Sequence, residues 1–114
     1  MNLTLIPYDT GEKNLVGRGK VQVALEPGRV GRNVVEAIVY GADDSPVAIP
    51  ELRLTFTHHG RGIGPLDARL ADERGYWGTD TLNLPVAGTW TMKATVRVSD
   101  VDQVTVSKTV TIGR

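Results

Sequence analysis

The chain has 114 residues, no cysteine, and 13 basic against 13 acidic side chains, for a formal net charge of zero. That length suits one domain with one core, and the absence of thiols excludes a disulfide framework and any thiolate metal site. Balanced charge gives no footprint for nucleic acid or a polybasic membrane contact, and no apolar run approaches the ~20 residues that span a bilayer.

In chain order, the first segment with strand character is Leu3 to Ile6. Met1 to Tyr8 lacks the basic start and long apolar stretch of a secretory leader, so the chain reads as cytosolic or as a piece of a larger protein. Val21, Val23 and Leu25 alternate with polar neighbours up to a turn at Pro27-Gly28. Asn33 to Tyr40 is denser in apolar residues, as a central strand requires, and ends in the Asp- and Ser-rich loop Gly41 to Pro46. Leu52, Leu54 and Phe56 alternate with Arg53, Thr55 and Thr57, and Gly60, Gly62, Gly64 and Pro65 then form a glycine-rich crossover. A short strand follows over Leu66 to Ala71, and another over Tyr76 to Leu84, closed by Pro85.

The clearest element begins at Trp90. Trp90, Met92, Ala94, Val96 and Val98 fall on one side and Thr91, Lys93, Thr95, Arg97 and Ser99 on the other, the mark of a strand with one dry and one wet face. Val104, Val106, Val110 and Ile112 are in phase in the last segment, where Lys108 breaks the pattern and suggests an edge position or a bulge. No window sustains a 3.6-residue period. Seven to eight short strands with turn signals between them predict an all-β, immunoglobulin-like antiparallel β-sandwich. Residues 1–114 read as a single domain, with 1–17 as an N-terminal strand or arm.

Candidate chemistry is sparse. His58 and His59 are the only histidines, and imidazole suits copper or zinc. In a continuing strand adjacent side chains point to opposite faces, so joint chelation requires the strand to end before His58; otherwise His58 belongs to the core rim and His59 to solvent. Met92 lies on the dry face, where methionine fills gaps rather than binding Cu(I). Asp100 and Asp102, with Asp43 and Asp44 elsewhere, supply only part of a calcium shell and read as turn residues. Tyr76 is in phase with Leu82 and Leu84 and reads as core. Trp77 is in phase with Thr79, Thr81 and Asn83 and reads as exposed, a candidate for a partner contact or a carbohydrate platform. The Gly-x-Gly at Gly62 to Gly64 precedes no helix, so it cannot cradle phosphate and is a chain reversal. Ser45, Ser99 and Ser107 lie outside any nucleophile-elbow context, and an enzyme is not expected.

Four blocks occur in order: Pro27-Gly28-Arg29-Val30-Gly31-Arg32-Asn33; Arg61-Gly62-Ile63-Gly64-Pro65-Leu66; Leu84-Pro85-Val86-Ala87-Gly88-Thr89-Trp90-Thr91; and Val96-Arg97-Val98-Ser99-Asp100-Val101-Asp102-Gln103-Val104-Thr105-Val106. Together they resemble the C-terminal extracytoplasmic domain of actinobacterial CopD-type copper-transport membrane proteins, and are similar to the wider YtkA-like group of small β-sandwich modules. The resemblance spans most of residues 15 to 112. It implies an accessory domain on the extracytoplasmic face of the cell membrane, excised from a copper-transport or copper-resistance protein and docking a neighbouring membrane domain or copper-binding protein, with no insertion into the bilayer by this segment. None of the four blocks contains a histidine and the ligand pattern of CopC-type domains does not map onto the chain, so the resemblance implies a copper setting rather than a copper site; weak copper binding at His58 or His59 is the metal expectation. A ligand-free structural or adhesive module and a carbohydrate-binding module are the alternatives.

Overall fold

A strand of period two that buries one face needs a second sheet to bury it against. The computed structural model, which describes residues 2–114, supplies one. The strands are β1 (Asn2–Asp9), β2 (Arg18–Glu26), β3 (Gly31–Tyr40), β4 (Glu51–His58), β5 (Ile63–Asp67), β6 (Ala71–Asp72), β7 (Trp77–Leu84), β8 (Gly88–Arg97) and β9 (Gln103–Ile112), with one 3₁₀ turn at His59–Arg61 between β4 and β5. They form a five-stranded sheet, β1-β2-β3-β7-β6, and a four-stranded sheet, β5-β4-β8-β9, in which every strand pairing is antiparallel. The runs β2-β3-β7-β6 and β4-β8-β9 reproduce the A-B-E-D and C-F-G order of a constant-type immunoglobulin sandwich, with β1 added outside β2 and β5 outside β4. The segment expected as one strand over Leu66 to Ala71 is divided: β5 ends at Asp67, buried Ala68 plugs the gap, and β6 restarts in the other sheet.

The dry side of β8 meets the expectation in full. Trp90, Met92, Ala94 and Val96 have no exposed surface, and they pack against Phe56 and Leu54 of β4 and the inward residues of the facing sheet. The wet side carries threonines in cross-strand register, among them Thr95 and Thr105, whose hydroxyls lie 3.2 Å apart.

The two sheets nearly meet where β1 faces β9. Lys108 lies on the inward phase of β9, and β9 pairs with β8 from Gly88↔Ile112 to Arg97↔Gln103 without a break. It therefore marks an edge, with no bulge. Its Nζ donates to the Leu5 carbonyl at 3.0 Å, and Asn2 Nδ2 donates to the Thr111 carbonyl at 3.0 Å. An inward lysine on an edge strand both covers open backbone and discourages pairing with another chain.

Asn33 is the one buried polar side chain among the described residues. Its Oδ1 accepts from the Gly28 amide at 2.7 Å, and its Nδ2 donates to the carbonyls of Arg29 (2.8 Å) and Gly31 (3.0 Å). The β2–β3 loop held in this way clasps the chain end, since the Val30 amide donates to the Gly113 carbonyl and the Gly113 amide to the Gly28 carbonyl. Replacing Asn33 by Ala leaves buried backbone groups unpaired and should lower stability by about 1–3 kcal/mol, read as a lower urea midpoint with an unchanged slope.

Candidate functional site

At the end of β4, the strand continues through His58, so the side chain stays on the inward phase of Leu54 and Phe56. The imidazole meets Trp90 edge to face, with ring centroids 5.2 Å apart and planes at 89°. His58 Nδ1 accepts from the Arg61 amide at 3.1 Å and thereby caps the 3₁₀ turn. An accepting Nδ1 carries no proton, so the proton sits on Nε2, which donates to the Ala87 carbonyl at 3.3 Å. Trp90 Nε1 donates to the neighbouring Val86 carbonyl at 3.0 Å. Gly88 has φ +121, and a Cβ there would come within 2.9 Å of His58 Nε2, so any side chain at this position would strain the backbone and displace the imidazole.

His58 thus spends both ring nitrogens on the protein, while His59 begins the exposed turn. The pair does not fit a copper chelate. Among the described residues no group of three or more His, Asp, Glu or Cys side chains is placed to hold a metal ion. Met92 is wholly buried on the inner face of β8. The aspartates are in local use: Asp43 accepts from the Ser45 amide and hydroxyl, Asp44 pairs with Lys20 at 2.9 Å, and Asp100 lies 3.7 Å from Arg97.

The two aromatic residues at the start of β7, Tyr76 just before it and Trp77 as its first residue, exchange the places that their spacing predicts. Leu84 and Leu82 face inward opposite Gly31 and Asn33, but the register then shifts: from Asn33↔Leu82 to Val35↔Thr79, β3 advances two residues while β7 advances three. One extra residue in a strand turns every later side chain to the other face. Trp77 therefore points inward opposite Ala37 and packs half-buried against the core, while Tyr76 is 40% exposed and lies over Gly78 on the outer surface. Arg32 clamps the bulge, its Nε donating to the Asp80 carbonyl at 2.6 Å and its Nη2 to Asp80 Oδ2 at 3.2 Å.

Inward does not mean sealed here. Trp77 stands at the border between the sheets and lines two open cavities. One, of about 310 Å³, also involves Tyr76, Val47 and Ile49. The other, of about 460 Å³, is lined by Arg53, Arg69 and Arg97 as well as Trp77, with Glu51 and Asp67. No spacing signal could have found this arginine group, because its members come from β4, β8 and the turn after β5. A larger cavity of about 650 Å³ lies at one end of the sandwich, where Asp9, Glu12, Lys13 and Arg18 mix both signs of charge.

Glu12, at that end, hydrogen-bonds the Asp102 carboxyl, which holds its pKa above the usual glutamate value; repulsion between the two charges and some burial act in the same direction.

No family model matches the chain, and comparison with curated proteins and with solved structures finds no match either.

Two outcomes are expected. Calorimetric titration of copper(II) into metal-free protein should reveal no tight one-to-one site; a saturable heat that disappears in His58→Ala/His59→Ala would reinstate the pair as ligands. Because Glu12 binds its proton more tightly folded than unfolded, its contribution favours the folded state in acid and is lost as pH rises from the ordinary glutamate value through the raised one. Glu12→Gln should therefore flatten the stability profile across that acid window, as chemical melts at successive pH values would show.

Proposed function

We propose that the chain is a non-catalytic accessory β-sandwich of a copper-transport or copper-resistance membrane protein, displayed on the extracytoplasmic face and working by docking a neighbouring membrane domain or copper-binding protein. The four-block resemblance supports the setting. Copper is cargo of the neighbouring parts in this reading. The docking mode rests on one observation: Trp77, a large ring held half-open at the sheet border, forms a wall of two cavities. A tryptophan that already shares the rigidity of a core and still offers surface loses little freedom on binding, which is why such rings anchor interfaces. The hydroxyls of Ser45 and Ser99 serve local turns, and His58 is committed to Ala87 and Arg61, which supports a binding role over nucleophilic chemistry.

The test is made in cells that carry the parent gene. Deleting the segment that encodes this domain should lower copper tolerance, and Trp77→Ala should reproduce much of that loss while the purified variant stays folded. Unchanged tolerance on deletion would remove the copper setting; full tolerance in the Trp77 variant would remove the docking role of the ring.

A further inference from the structure

The larger cavity beside Trp77 has a chemistry of its own. Arg97 projects from β8 opposite Glu51 of β4, and two positions along β4 stands Arg53, on the same outer face. The β4–β5 ladder continues past Thr55↔Asp67 through a bond from the Ala68 amide to the Leu54 carbonyl, which brings Arg69 abreast of Arg53. Arg69 holds φ 55, and its amide donates to Asp67 Oδ1 at 2.9 Å, a short-range turn that fixes the direction in which the chain leaves the sheet.

Three guanidinium groups and two carboxylates line the space, an excess of one positive charge. The charges are unevenly used. Arg97 is shared between Glu51 at 3.9 Å and Asp100 at 3.7 Å. The guanidinium groups of Arg53 and Arg69 have no ion-pair or hydrogen-bond partner among the described residues, and Asp67 uses one oxygen on the Arg69 backbone rather than on a guanidinium. A planar fork of donors suits a carboxylate, which it can hold through two parallel bonds. An indole beside it supplies apolar area for the stem that carries the carboxylate.

We infer that this cavity is a docking cleft for an acidic polypeptide segment, in which Arg53 and Arg69 take a side-chain carboxylate of the partner and Trp77 packs against its methylene stem. The inference deepens the docking reading by naming the partner's chemistry, but the cleft's preference for carboxylate is measurable on the isolated domain.

The chain has two tryptophans, one half-open in the cleft and one wholly buried, so their indole N–H signals in nuclear magnetic resonance spectra separate a cleft event from a global change. The probe is an N-acetylated, C-amidated pentaglutamate at low salt. It should shift the Trp77 signal saturably and leave that of Trp90 in place, and added salt should weaken the effect. Arg53→Gln/Arg69→Gln should weaken binding at least about tenfold, the loss of one charge-assisted hydrogen bond, with both indole signals of the free variant still dispersed. The inference falls if pentaglutamate leaves Trp77 unmoved, if the double variant binds as well, or if inorganic phosphate or trigalacturonate at equal concentration acts as strongly, since either would make the cleft a general anion or acidic-sugar site. Failure on any of these counts leaves the copper-tolerance phenotype of Trp77→Ala to judge docking separately.

Discussion

Burying an indole obliges the protein to give its N–H a partner, and the way this obligation is met at Trp90 organises one end of the sandwich. The Val86 carbonyl takes the indole proton and the adjacent Ala87 carbonyl takes that of His58, so the chain entering β8 is held by two side chains at consecutive residues. His58 in turn presents its ring at right angles to Trp90 and caps the turn that leads into β5. The same contacts that seal the core thus fix the start of β8 and the path into β5, and with them the four-stranded sheet. Gly88 is part of this arrangement because its φ of +121 strains any other residue and a Cβ there would press on the imidazole.

A second constraint acts on the other sheet. The pleat gives each strand a strict two-residue period, and a single inserted residue in β7 resets it. The bulge is held open by Arg32, whose guanidinium satisfies the carbonyl and carboxylate of Asp80 that the ladder leaves behind. Its consequence lies several residues away: a tryptophan at the sheet border and a tyrosine on the outer surface over a glycine.

The two borders of the sandwich are therefore unlike. Where β1 nears β9, Lys108 and Asn2 bridge the sheets and cover both edges. On the opposite border, β6 is only two residues long and β5 only five, and the space between their sheets is filled by Ala68 and Trp77 with open cavities around them. One border is thus closed by side-chain bridges, while the other keeps an aromatic ring and uncommitted arginines around open cavities, and it is on this second border that the docking proposal rests.

Much of the architecture was legible in the chain because it depends on neighbours one or two residues apart. The alternation from Trp90 to Val98 named the dry face of β8, the dense apolar run at Asn33 to Tyr40 marked the central strand, and glycine, proline and aspartate placed the turns. The same local rule assigned Tyr76 and Trp77 to the wrong faces, since a bulge exists only relative to the strand it pairs with and leaves no mark in the spacing of its own residues. Lys108 announced an edge or a bulge, but the unbroken β8–β9 ladder that decides for the edge, and its acceptor more than a hundred positions away on β1, belong to the fold. The engagement of both His58 nitrogens and the gathering of Arg53, Arg69 and Arg97 along one cavity were likewise decided by tertiary structure alone. Side-chain period is a property of a strand, whereas the partners of a polar group are set by which distant strands the packed core brings alongside it.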